Sequence, residues 1–189
     1  MPATCLDPRT ALVVIDLQHG IAAMPAAHPM TDVVRQSRQL AEAFRARGLP
    51  VVFVNVNGFA PGRTEQPGRS GALPADWAAL LPELGVQPTD LRVTKRTWGA
   101  FAHTDLEKQL RAAQVTQVVL AGVATSIGVE STARQAYELG FNVTLAVDAM
   151  TDRHAQAHDN SIAHIFPRLG ETDRTQSIIA LLRAEPEPV

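Results

Sequence analysis

The chain is short of cysteine, of charge of one sign and of long apolar runs, and each shortage removes a class of explanation. One cysteine in 189 residues rules out an internal disulfide and any metal cluster held by several thiolates. It also fits a reducing compartment. With 17 basic and 19 acidic residues the formal net charge is −2, which gives no broad footprint for nucleic acid or an anionic membrane surface. The longest apolar stretches, such as residues 118–124 interrupted at Gly122, are far shorter than the ~20 residues of a membrane helix. The start of the chain carries Pro2, Asp7 and Pro8 and lacks the apolar core of a signal peptide. At 46% hydrophobic and 19% charged, the composition is that of an ordinary globular protein. The length suits one domain over residues 1–189, and a domain of this size buries roughly 70% of its unfolded surface. The expectation is a cytoplasmic enzyme or binding module, with no nucleic acid or membrane partner.

What is present is a rhythm of short apolar runs and helical patterns. ALVVI at 11–15, VVFV at 51–54, LRVT at 91–94, VVLA at 118–121 and VTLAV at 143–147 read as strands, most of them buried on both faces. Between them, Thr31 or Asp32 can cap a helix whose Val33, Leu40, Ala41 and Phe44 share a face, and Gly48 and Pro50 end it. Thr104 to Glu107 has the pattern of a capping box, with Leu106, Leu110 and Ala113 behind it. Residues 131–139, 152–165 and 176–183 read as further helices. Alternation of this kind predicts a doubly wound α/β domain. Residues 57–71, rich in Pro and Gly, read as a long loop that serves equally well as a binding loop or as a bland insertion, and 185–189 as a frayed tail.

Ligands of an open parallel sheet bind beyond the carboxyl ends of its strands. Asp16, Asn55, Lys95, Thr125 and Asp148 each follow an apolar strand, so this topology would gather several of them at one edge. Position alone argues weakly, since loops are polar and Asp often caps the next helix. Asp16 is the best candidate, because Leu17 after it leaves the carboxylate between apolar neighbours. Lys95 is second. Trp98 and Phe101 beyond it suit an aromatic-lined cavity or core packing equally. In AGVATSIGVESTARQA at 121–136 a strand passes through Gly122 into a loop and a helix, whose first N–H groups can stabilise developing negative charge. Gly128 lies near that helix start, where glycine costs up to ~1 kcal/mol relative to alanine. A ligand close to the backbone and tight helix–sheet packing explain it equally.

Three stretches in order, ALVVIDLQ at 11–18, VTKRTWGAFAHTDLEKQLR at 93–111 and VVLAGVATSIGVESTARQAYELGFNVTLAVDAMTD at 118–152, resemble the isochorismatase-like hydrolase superfamily. That superfamily includes isochorismatases, nicotinamidases and N-carbamoyl-amide hydrolases. The resemblance implies a three-layer α/β/α fold around a doubly wound six-stranded parallel sheet of order 3-2-1-4-5-6. It also implies a small-molecule substrate, no cofactor and a homo-oligomer, either dimer or tetramer.

In that family the site combines an Asp after the first strand, a Lys after the third and usually a Cys at the start of the helix after the fourth. Asp16 and Lys95 match the first two, and the Cys position falls on Gly128. Amide-cleaving members attack the carbonyl with the thiolate. Gly128 has no nucleophile, Cys5 precedes the first strand, and Ser126, two residues away, would share no helical face with position 128. True isochorismatases resemble this chain in having Gly there, and cleave a vinyl ether by protonating the enol carbon and adding water. By this resemblance Asp16 is the acid, Lys95 orients or polarises the substrate, and Gln18, Asn57, Trp98, Phe101, Ala124 and Thr125 bind it. Lifting an Asp from ~3.9 to ~7 requires roughly 4 kcal/mol from desolvation and an anionic substrate, against the lysine. The metal-binding Asp-x-His of nicotinamidases is replaced by Asn55-Val56-Asn57, so no metal is expected there. His154 and His158 have the spacing of two helical ligands but no third partner. The family also has a cis peptide in this loop, which falls on Val123-Ala124. Two alternatives stay open: a non-catalytic ligand-binding relative, and amide hydrolysis by Asp16-activated water.

Overall fold

The apolar runs become the strands of a single sheet in the computed structural model, which describes residues 2–65 and 73–184. The strands are β1 (Thr10–Ile15), β2 (Val51–Val56), β3 (Leu91–Lys95), β4 (Gln117–Val123), β5 (Asn142–Thr151) and β6 (Glu171–Asp173). They pair in parallel in the order β3-β2-β1-β4-β5-β6, the order that the resemblance implies. β6 has no apolar run to announce it. Its Glu-Thr-Asp is held by pairing with Thr144 to Ala146 of β5.

Side-chain alternation along the strands divides the core between two faces. Ala11, Val13 and Ile15 of β1 pack with Leu106 and Leu110 of α3 (Leu106–Ala112) and Ala133 and Ala136 of α4 (Glu130–Glu138). Leu12 and Val14 face the other way, against Val33, Leu40 and Phe44 of α2 (Met30–Ala46) and Ile178 and Leu182 of α6 (Thr175–Arg183). Each fully buried Leu or Phe contributes about 1.5–3 kcal/mol, so helices on both faces hold β1 and β4 at the centre. The remaining helices are α1 (His19–Ala22) and α5 (Ala155–Asn160).

Several helix starts differ from the sequence reading. α2 begins at Met30 with Pro29 in the capping position, so Thr31 and Asp32 lie in its first turn and Asp32 pairs with Arg35. The capping box of α3 does not form. Thr104 Oγ1 donates to Ala100 O and accepts from Leu106 N–H, leaving Asp105 before the helix without a side-chain bond. The helix expected over 152–165 starts only at Ala155, after His154 in extended backbone, and passes into a π-turn at Ser161–Ile165. No helix among the described residues is long and apolar enough to cross a membrane. Residues 57–65 contain neither helix nor strand, and the rest of the expected long loop, like the tail 185–189, lies outside the described residues.

Candidate active site

β1 ends with a sharp change of direction. Asp16 N–H still donates to Val54 O at 2.9 Å, but Asp16 itself has φ 53°, in the left-handed region that Asp tolerates better than most residues. The turn is clamped by Gln18, whose buried amide donates to Val56 O and Trp77 O and accepts from Val56 N–H at 2.7 Å. Backbone held in a sparse region by surrounding bonds is common where a side chain must be aimed.

The Asp16 carboxylate is aimed at Lys95, the last residue of β3. Lys95 Nζ donates to Asp16 Oδ2 at 2.6 Å and to Thr97 O at 3.1 Å. Only 6% of Asp16 and 2% of Lys95 is exposed, and Asp16 Oδ1 is buried with no hydrogen-bond partner among the described residues. Burial pushes the Asp16 carboxyl up to about 6, although the Lys95 charge and hydrogen bond pull it down. Desolvation therefore wins the contest between burial and lysine, and brings the group near the range of a working acid.

The third wall comes from β4. Gly122 has φ 112°, and a Cβ there would sit 2.0 Å from Ile15 O, so only glycine lets the end of β4 approach the end of β1. The pairing of β4 with β5 shifts register at this point, the Val123-Ala124 peptide is cis, and a π-turn over Thr125–Val129 leads into α4. This path puts Gly128 against Asp16. A Cβ on Gly128 would lie 3.0 Å from Val123 O, 3.1 Å from Ile15 Cγ2 and 3.3 Å from Asp16 Oδ2. Thr132 Oγ1 donates to Gly128 O at 2.7 Å and fixes the turn to α4.

The other sequence candidates are distributed differently. Asn57 is exposed, and its N–H donates to Lys95 O at 3.0 Å, so its backbone braces the lysine. Trp98 is 63% exposed. Phe101 stacks on Phe141, 5.8 Å away, which precedes β5 at the amino end of the strands. It is thus turned toward the end of the sheet opposite Asp16. The Gln18 amide is engaged by backbone partners, and the Thr125 hydroxyl meets His158 Nδ1 at 2.8 Å. Ala124 O accepts from the N–H groups of Ile127 and Val129.

Two edge residues are corrected. Asn55 binds Ala78 O and Thr94, and Asp148 accepts from Thr175 N–H and Oγ1 at the start of α6. The reason for Asp148 is that β5 runs three residues beyond it to Thr151, which keeps it within the strand. Ser126 points away from Asp16, with its N–H and hydroxyl both donating to Asp152 Oδ2. His154 only precedes α5, so the two-histidine metal spacing on one helix is not made. Cys5 is exposed, and its carbonyl meets the side chain of Gln117, the first residue of β4, so the thiol lies at the amino end of the sheet. Asp152, Thr132 and Trp77 escaped the sequence reading because none follows an apolar run as its first polar residue, and His158 was singled out there only for a metal spacing with His154.

A family model described as the isochorismatase domain matches residues 10–177. The chain belongs to the isochorismatase family. It is 43% identical over 179 residues to the isochorismatase family protein YwoC of Bacillus subtilis, covering 90% of this chain and 93% of that one. The structure of an isochorismatase family protein from Burkholderia thailandensis superimposes with a TM-score of 0.92 at 43% identity, covering 95% of this chain and 98% of that one. The ureidoacrylate amidohydrolase RutB of Stutzerimonas stutzeri is 30% identical over 182 residues, or 78% of this chain and 72% of that one. This isochorismatase-family protein is a hydrolase.

Proposed function

We propose that this hydrolase acts on a small molecule through Asp16 and Lys95 without a covalent enzyme intermediate, in the subgroup with Gly in place of the nucleophilic Cys. Its narrow form is cleavage of an isochorismate-type vinyl ether. The observation that carries the reading is the neighbour of Asp16 on the third wall: the Gly128 backbone, which offers no nucleophile, while the lone thiol is at the other end of the sheet. Protonated Asp16 gives its proton from the unpartnered Oδ1 side to the enol carbon, and a C–H bond forms. Water adds to the resulting oxocarbenium and loses a proton, which restores the acid. The hemiketal then breaks its C–O bond as its hydroxyl loses a proton and the leaving oxygen gains one, to leave a ketone and an alcohol. Lys95 holds Oδ2 throughout and stabilises the carboxylate once the proton has left.

A second reading has the likeness to an amidohydrolase behind it: water activated by ionised Asp16 attacks an amide. A coupled assay of pyruvate release from isochorismate, run beside a panel of ureido amides, separates the two. Asp16→Asn is expected to lower turnover by about 10²–10⁴-fold. Turnover equal to the parent in that variant overturns the Asp16 role, and binding without turnover of either class makes the chain a non-catalytic relative. We also propose a homo-oligomer in solution, which a monomer in light scattering would overturn.

A further inference from the structure

The π-turn that carries Gly128 is held from behind by groups that this chemistry does not use. Asp152, just past β5, accepts from Ser126 N–H at 2.7 Å and from Ser126 Oγ at 2.8 Å. His158 of α5 is buried, and its Nδ1 lies 2.8 Å from the fully buried Thr125 Oγ1. The ring of His28, from the segment before α2, lies 4.6 Å from that of His158. His28 is itself placed by Thr151, whose Oγ1 is 3.1 Å from both its backbone N and its Nδ1. Thr151 of β5 pairs with Val123 of β4 in the sheet, so the strand beside the one that leads into the turn seats the second histidine.

A neutral imidazole has one donor and one acceptor nitrogen, and an imidazolium has only donors. Protonation of His158 obliges Nδ1 to donate and Thr125 to accept, and sets a positive charge beside the tilted ring of His28. We propose that His158 is a positioning residue: in its neutral form it holds Thr125, as Asp152 holds Ser126, and so sets the turn at its contact distance from Asp16, while protonation of His158 loosens that hold.

Burial, and next the charge of His28, push the His158 imidazole below its ordinary value of 6.5, while Asp159 and Asp152 draw it up. His154 precedes the same helix, and Glu130 of α4 accepts from Ser161 Oγ on the turn after it. The neutral form is thus favoured, and the hold is complete above the ordinary histidine range and weakens as pH falls.

The consequence for turnover rests on the Asp16 reading, but the placement of the turn does not, so the decisive measurement uses no substrate. In an NMR pH titration of the ¹⁵N-labelled chain, the amides of Thr125, Ser126 and Gly128 are expected to move with the midpoint of the His158 ring, separately from that of Asp16. His158→Gln, which can still bond to Thr125, is expected to abolish that transition. His28→Gln is expected to raise the His158 midpoint, and it decides the matter if the first variant does not fold. Amides that follow only the Asp16 midpoint, or a His158 midpoint unmoved by His28→Gln, would overturn the proposal. Inactivity toward every substrate, with the titration as expected, would overturn the Asp16 reading alone.

Discussion

In the proposed acid role Asp16 carries opposing demands: it has to be dry enough to hold a proton near neutrality and close enough to Lys95 to shed it. For a general acid the protonated form is the working one, so kcat/KM is expected to fall as pH rises above the free-enzyme value near 6. A profile that instead rises through this range marks Asp16 as a base and favours amide chemistry. Removing the carboxylate also strands a lysine that is 2% exposed. Asp16→Asn should therefore cost about 3–5 kcal/mol in urea denaturation, and pairing it with Lys95→Met should recover most of the loss. Gly128→Ala is a test of space. Helix preference favours alanine by ~1 kcal/mol, but the new Cβ meets the backbone oxygen of Val123 at 3.0 Å, and crowding of this kind costs about 1–3 kcal/mol. A net loss of stability together with loss of turnover is expected. Gly128→Cys faces the same contacts, so it is not expected to create an amidase.

The loop after β4 depends on how closely two strands approach. Gly122 has to lie under Ile15 O with φ 112°, a conformation and a distance that no L side chain accepts. Gly122→Ala is expected to leave the chain unfolded or to lower its melting temperature well beyond an ordinary surface change, as followed by circular dichroism. Gln18 does for the β1 turn what Gly122 does for β4. Gln18→Leu removes the side-chain partner of the Val56 N–H and carbonyl, while Trp77 O keeps the Gly20 N–H, at about 1–3 kcal/mol for each buried group left unpaired. The expected loss in denaturation is several kcal/mol, with turnover reduced because the Asp16 turn is released.

Across the molecule, two buried titrating groups act on stability in opposite directions. Asp16 has a folded value of about 6 against an ordinary 3.8, so its contribution is complete below the lower value and is lost as pH rises through the higher. His158 is lowered from 6.5, so the fold is penalised progressively as pH falls below that value. The two partly cancel between neutrality and pH 4. Measured by urea midpoints over this range, Asp16→Asn should lose stability toward acid more steeply than the parent, and His158→Gln less steeply. Equal slopes in all three proteins would contradict these shifts.

The alternation of apolar runs and the polar residues that follow them marked the strands of an α/β domain, Asp16 and Lys95, because burial on both faces leaves a local mark in sequence; the sheet order came only from the family resemblance of three motif stretches. β6 left none, since a three-residue edge strand is held by pairing and not by its own side chains. The places of Gln18, Phe101, Asp148 and Thr125 likewise had no local mark: each is settled by partners that are 27 to 59 residues away in sequence or by a ring across the sheet face. The hydrogen-bonded contact of Lys95 with Asp16 spans 79 residues, and the rise of the Asp16 carboxyl to about 6 depends on how much water the assembled walls exclude. Residue type and local order can be read along a chain, but dielectric, approach distance and partner choice exist only once distant segments have closed around the same point.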